Sequence, residues 1–251
     1  MIKGLGKNKL PFLYLDEFCP EIDIDRLHAE VSLGLAKAKW LKRFVSVGVH
    51  PEWNDKEIAN YIRLENISEY QKELYKQIPE FDTEKKLKYF MCVSQGLHPF
   101  WTCFIRQNKP TERTRMANKA VAEDCIWTDE KHHFTTLVEF IEKLPFESIG
   151  RIMIFMTEPN NETVPHYDST LDNTTRPNDD FIWFTTNKDY KKIFVMDGDT
   201  KEKFYTDPSK KFIWFNEMDY HGTDPVNRFS FSIRVDGKFT QEVKEILSGD
   251  Y

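Results

Sequence analysis

The sequence predicts an α+β protein, with a helix-rich first part followed by a β-sandwich or barrel. Two observations carry this. Apolar stripes at helical spacing recur in the first 145 residues, and eight short apolar-aromatic runs follow within 90 residues after Ile149. Aromatics, with 20 Phe, 10 Tyr and 6 Trp in 251 residues, suit strands and a large packed core.

The elements follow in order. Leu27, Val31, Leu35 and Leu41 predict a helix over residues 24–41, with Asp23 or Asp25 as its cap. Tyr70, Leu74 and Ile78, at steps of four, predict a second over 66–78. Leu137, Phe140, Ile141 and Leu144 predict a third over 134–144, stopped by Pro145. Residues 87–93 read as a strand. Further strands are expected at 151–157, 164–168, 180–186, 192–196, 203–206, 211–215, 219–221 and 228–236. Asp197-Gly198 is a hairpin signal between two of them. Short strands at this spacing close into sandwiches or barrels. The expected division is a helix-rich region over 1–145, a β core over 146–238 and a helical tail over 239–251.

Composition excludes several classes. With 10 Gly and 12 Pro, the chain is neither collagen-like nor disordered. A formal net charge of -6 argues against a general nucleic-acid binder. No apolar run is long enough to span a membrane, and the opening residues lack the apolar stretch of a secretory signal. A cytoplasmic protein is therefore expected. Cys19, Cys92, Cys103 and Cys125 have no zinc-ligand spacing and read as free thiols. Gly4-Leu5-Gly6-Lys7 lacks the spacing of a phosphate-binding loop. His132-His133 reads as a solvated helix start and His98 as part of a packed loop.

One constellation carries chemistry. His166-Tyr167-Asp168 falls in a strand, where residues two apart face the same way. His221 ends a later strand. Two imidazoles and one carboxylate form the facial triad of non-haem Fe(II) oxygenases, which leaves positions open for substrates. After His221, parity puts Arg228, Ser230, Ser232 and Arg234 on one strand face and Phe229, Phe231 and Ile233 on the other. An arginine directed into a barrel is costly unless it meets an anion, and guanidinium grips carboxylate with paired hydrogen bonds. Parity alone does not choose which face points inward. The proximity of His221 favours the arginine face and a carboxylate co-substrate.

These residues resemble the Fe(II)/2-oxoglutarate-dependent oxygenases, most closely the group of aspartyl/asparaginyl β-hydroxylases and free-proline hydroxylases. The matching pieces are Leu144-Pro145-Phe146, Gly150-Arg151 with its apolar strand, Pro165-His166-Tyr167-Asp168, Thr186-Asn187, Trp214-Phe215-Asn216, His221, and Arg228-Phe229-Ser230. The resemblance covers about residues 135–237. Phe181-Ile182-Trp183-Phe184 lacks a histidine that the group often carries, and the step from His221 to Arg228 is shorter than usual. The spacing of Arg228 and Arg234 also resembles the AlkB-type nucleic-acid dealkylases.

The resemblance implies a double-stranded β-helix core (a jelly roll, cupin-like), with Fe(II), 2-oxoglutarate and O2 as cofactor and co-substrates. Iron would be held by His166, Asp168 and His221. The co-substrate would be bound by Arg228, favoured as nearest the metal, or by Arg234, with Ser230 and Asn216 assisting. Arg151, at the start of a strand beside that of His166, would face the substrate or form a surface salt bridge. The implied activity is that of a dioxygenase hydroxylating an amino acid, a peptide or protein side chain or a small metabolite, with 2-oxoglutarate split to succinate and CO2. Asp168 fills the position that halogenating relatives leave to chloride, which favours hydroxylation, or desaturation or cyclisation. Two alternatives stay open: a non-oxidative cupin-like metal-binding module and a catalytically inactive jelly-roll interaction protein.

Overall fold

The computed structural model describes residues 1–38, 42–44, 100–109, 119–157, 159–160, 162–166, 180–186 and 192–248. The expected helix over 66–78, the strand over 87–93, His98 and Cys92 lie outside these residues.

Strand order defines the fold. Eight strands make the core: β5 (Phe146–Thr157), β6 (Thr163–His166), β7 (Asp180–Thr185), β8 (Ile193–Met196), β9 (Lys203–Tyr205), β10 (Ile213–Trp214), β11 (Tyr220–Thr223) and β12 (Ser230–Phe239). They divide between two antiparallel sheets. The larger runs β10-β7-β12-β5 through its middle, and the smaller runs β6-β11-β8-β9. Apart from the β8–β9 hairpin, each successive strand crosses to the other sheet. The result is a double-stranded β-helix within an α+β chain. Each strand expected from residue 151 onward is present, with ends displaced by a few residues; residues 167–168 of the second lie outside the described set. Asp197-Gly198 does open the β8–β9 connection, but the loop runs to Glu202, with Met196 opposite Lys203.

The chain before residue 146 lengthens the larger sheet. β1 (Leu13–Tyr14) pairs with β10, β2 (Lys42–Phe44) with β3 (Phe100–Asn108), β3 with β5, and β4 (Cys125–Trp127) with β3. Sequence pattern reads this half as helix-rich and misses these strands for identifiable reasons. β1, β2 and β4 have only two or three residues, too few for a period to show. β3, FWTCFIRQN, opens with five apolar positions in its first six and so has no alternation over that stretch.

Among the described residues, two helices cover the outer face of the larger sheet. α1 (Ile24–Lys37) starts where Asp23 accepts hydrogen bonds from the amides of Asp25 and Arg26. It buries Leu27, Val31 and Leu35 and ends at Lys37, short of the expected Leu41. α2 (Thr135–Ile141) has no cap of its own. The Glu30 carboxylate of α1 accepts from the amides of Thr136 and Leu137, both at 2.9 Å, satisfying donors that a helix leaves open. The two helices meet at Gly34, where an added Cβ would lie 2.4 Å from the Phe134 ring. α3 (Gln241–Ser248) follows β12 and buries Val243.

The packing of these helices fixes which way the sheet faces. Phe140 of α2 meets Phe184 edge-on at 5.8 Å and stacks on Phe212 at 5.6 Å. Phe184 is paired with Ile233, which is paired with Ile154. Phe231, Ile233 and Val235 of β12 therefore lie on the helix side. Ser230, Ser232, Arg234 and Asp236, at the alternate positions, face the smaller sheet. The arginine face is the interior one.

Ile233 is wholly buried at the centre of the helix-facing layer. Ile233→Ala is expected to cost about 2–5 kcal/mol of stability by urea unfolding, because a methyl-lined gap remains between rigid elements. Leu33→Ala, at a position 57% exposed on α1, should cost less than about 0.5 kcal/mol.

Candidate active site

The expected metal-binding histidines occupy adjoining strands of the smaller sheet. In the β11–β6 register His221 stands directly opposite His166. Directly opposite positions on antiparallel strands lie on one face, and the register shifts only beyond His221, before Thr223. Asp168 lies outside the described residues.

The setting of His221 is well defined. It is 7% exposed, and its Nδ1 lies 2.9 Å from the Asp219 carbonyl oxygen. A carbonyl only accepts, so Nδ1 carries a proton, and in the neutral ring the lone pair is then on Nε2. This is the arrangement that metal-ligating imidazoles need, with the remote nitrogen tied by a hydrogen bond. The Phe215 ring packs 4.8 Å from the imidazole. A buried imidazole of fixed tautomer, paired in register with a second histidine, fits a divalent iron site of nitrogen and oxygen donors.

Further along the interior lies a buried ion cluster. Arg234 donates through Nε to Asp236 Oδ1 at 2.8 Å and through Nη2 to Glu217 Oε2 at 2.7 Å. Arg151 Nε reaches Asp236 Oδ2 at 2.9 Å, and Lys119 Nζ reaches Glu217 Oε2 at 2.6 Å. All five residues are 5% exposed or less. The cluster joins β5, β12, the turn before β11 and Lys119. The Arg234 guanidinium lies over Phe181 at 3.9 Å, Phe181 meets Phe215 at 4.9 Å, and Phe215 touches His221. An aromatic bridge thus connects the cluster to the distal histidine.

The remaining sequence candidates fall out as follows. Arg234 and Ser230 are buried on the interior face, and the Ser230 hydroxyl has no hydrogen-bond partner among the described residues. Thr102 Oγ1 of β3 is likewise buried and unpartnered there. Arg228 is exposed in the bend before β12. Arg151 sits within β5, whose neighbours are β3 and β12; the strand of His166 belongs to the other sheet. Its guanidinium holds Asp236 in the interior, so the surface salt bridge is ruled out. Asn216 closes a turn: its Oδ1 accepts from the amide of Met218 and its backbone oxygen from the amide of Asp219.

No protein-family model matches the chain, and a search of curated proteins found no match. Among solved structures the chain is similar to a prolyl hydroxylase from Trichoplax adhaerens in complex with a hypoxia inducible factor peptide fragment. That likeness has 11% identity, 97% of this chain and 89% of the other covered, and a TM-score of 0.43. It is also similar to an oxidoreductase of the 2OG-Fe(II) oxygenase family from Burkholderia pseudomallei, at 12% identity, with 87% and 91% covered and a TM-score of 0.37. A viral collagen prolyl hydroxylase from Paramecium Bursaria Chlorella virus-1 gives 10% identity, 80% and 96% covered, and a TM-score of 0.29.

Sequence reasoning missed Lys119, Glu217, Asp219 and Asp236. Asp236 was findable, since it continues the parity of Ser230, Ser232 and Arg234. Lys119 had no signal, because its partner is distant in the chain. The described cysteines are free, as expected. Burial, with help from Glu130, pushes the Cys103 thiol up to about 12, so it stays protonated and inert. No helix among the described residues is long and apolar enough to cross a membrane.

The cluster makes stability depend on pH. Burial raises the Asp236 carboxyl, but Arg151, Arg234 and Lys119 outweigh it and hold the group below the usual carboxylate range. A depressed carboxylate contributes stability above its unfolded pKa and loses it as pH falls through the folded value. The wild-type stability measured by urea unfolding should therefore fall on acidification below about pH 4. Asp236→Asn should be less stable at neutral pH and show a flatter acid limb. Glu217→Ala, which strips a carboxylate from two buried cations, should cost about 3–5 kcal/mol at neutral pH.

Proposed function

We propose that this chain is an Fe(II)/2-oxoglutarate-dependent oxygenase, a hydroxylase in which His166, Asp168 and His221 hold the iron. The observation that carries the reading is the register of His166 against His221, combined with the Nδ1 hydrogen bond that, in the neutral ring, puts the lone pair on Nε2 of His221. The strand order supports it, because both histidines belong to one sheet of a double-stranded β-helix whose other sheet directs an arginine inward. Bound iron and 2-oxoglutarate would supply the oxidising chemistry that places oxygen on a C–H bond, releasing succinate and CO2.

The chain's own residues bind, orient and exclude water. Asp219 holds the His221 ring through its carbonyl. The Phe215 and Phe181 rings pack in sequence between the histidine and Arg234. Arg234 is the residue we assign to the co-substrate carboxylate, in place of Arg228. It is buried on the interior face, where Asp236 and Glu217 hold its guanidinium in place. The Ser230 hydroxyl faces the same interior. The substrate class is an amino acid, a peptide or protein side chain, or a small metabolite.

Succinate release from 2-oxoglutarate with Fe(II) and O2 is the direct test, and it is expected for the wild type and absent in His166→Ala and His221→Ala. Retained turnover in His221→Ala places the metal elsewhere. Metal binding with no 2-oxoglutarate consumption across amino-acid and peptide substrates favours a non-oxidative module. Calorimetry in the presence of metal should show Arg234→Ala weakening 2-oxoglutarate binding by roughly 2–4 kcal/mol, with Arg228→Ala close to wild type. The reverse order would return the assignment to Arg228.

A further inference from the structure

Residues 3–12 reach His221 by two separate routes. The first is polar. The successive amides of Lys3 and Gly4 donate to the two oxygens of the Asp219 carboxylate, at 2.6 and 2.7 Å. Paired amides of this kind form a cradle for an anion, here an internal one. The Gly4 carbonyl in turn accepts from Asn216 Nδ2 at 2.9 Å, so the turn over residues 216–219 is held from both ends. The backbone carbonyl of the same Asp219 is what accepts the proton on His221 Nδ1. The second route is aromatic. Phe12 meets Phe215 edge-on at 6.3 Å, and Phe215 packs against the His221 ring at 4.8 Å.

The strap itself is anchored. Leu5 and Leu10 exchange backbone hydrogen bonds at 2.9 and 3.0 Å, and Leu5 and Phe12 are both buried in the core. Gly4 permits the geometry. Its φ is +64°, and a Cβ there would lie 2.4 Å from the Lys9 carbonyl carbon. No L side chain fits without moving the amides off Asp219. Gly4 of the Gly4-Leu5-Gly6-Lys7 run, which lacks phosphate-loop spacing, thus has a structural use.

We infer that residues 3–12 are a positioning strap for the distal metal ligand, with Gly4 and Asp219 as its positioning residues. The inference rests on the metal reading of His221 and adds to it what aims the imidazole. Loss of the Asp219 carboxylate leaves two amides unmatched and unpins the turn whose carbonyl holds the ring. Loss of the Gly4 conformation withdraws the same amides from the other side.

Co(II) titration of the intact protein, followed by its visible absorption, tests this apart from turnover. Gly4→Ala and Asp219→Ala should each weaken Co(II) binding by roughly 10–100-fold and alter the absorption envelope, the range seen when partners of a ligating histidine are removed. Val243→Ala, buried on α3, controls for stability and should lower the thermal midpoint while leaving Co(II) affinity within about twofold of wild type. Wild-type affinity in both Gly4→Ala and Asp219→Ala overturns the strap alone. A wild-type protein that takes up no Co(II) overturns the metal reading together with the strap. Long-range proton–nitrogen correlation on the metal-free wild type, which needs no variant to fold, should find the His221 proton on Nδ1. A neutral ring with its only proton on Nε2 overturns the inference.

Discussion

The two faces of β12 set opposite demands, and most of the structure follows from meeting both. Phe231, Ile233 and Val235 must be covered by apolar surface, while Arg234 and Asp236 must be covered by charge. The period of two in a strand allows no compromise, since a one-residue slip would expose every apolar side chain to the charged interior. α1 and α2 answer the first demand. Arg151, Glu217 and Lys119 answer the second, from three separate parts of the chain. Pairing of β12 with β5 and β7 then locks the register on both sides.

Burying five charged side chains is expensive, and such a cluster is rarely the most stabilising way to fill a core. In the proposed function its placement matters more than its stability. Two rings, Phe181 and Phe215, link it to His221, so a fixed arginine and a fixed imidazole border the same interior. Electrostatic preorganisation of this kind needs side chains that do not rearrange when a charged guest arrives. The paired carboxylates on Arg234 and the carbonyl on His221 Nδ1 provide that rigidity by the same means, a hydrogen bond from a partner that packing holds in place.

Much of this was legible in the sequence. The strands after residue 149 announced themselves through short runs and turn residues, and the parity of Arg228 to Arg234 identified a polar face. What parity did not supply was direction, which comes from where α1 and α2 pack. The choice between Arg228 and Arg234 was illegible for a related reason. Proximity to His221 in sequence favours Arg228, whereas the structure shows only that the chain bends before β12, with Arg228 exposed and Arg234 buried. The strands β1 to β4 were hidden by brevity or by the apolar run that opens β3. Lys119 and the amides of Lys3 and Gly4 act on partners about 100 or more residues away, a distance that no local pattern records.

The central claim is that His221 supplies a metal-ligating nitrogen beside the interior of this β-helix. Anaerobic addition of Fe(II) and then 2-oxoglutarate to the purified protein tests it most directly, followed by the visible charge-transfer absorption of a chelated keto acid. The account predicts a band that needs both additions, saturates at one equivalent of iron and disappears in His221→Ala. A wild-type protein without the band, or a His221→Ala variant that keeps it, would contradict the account.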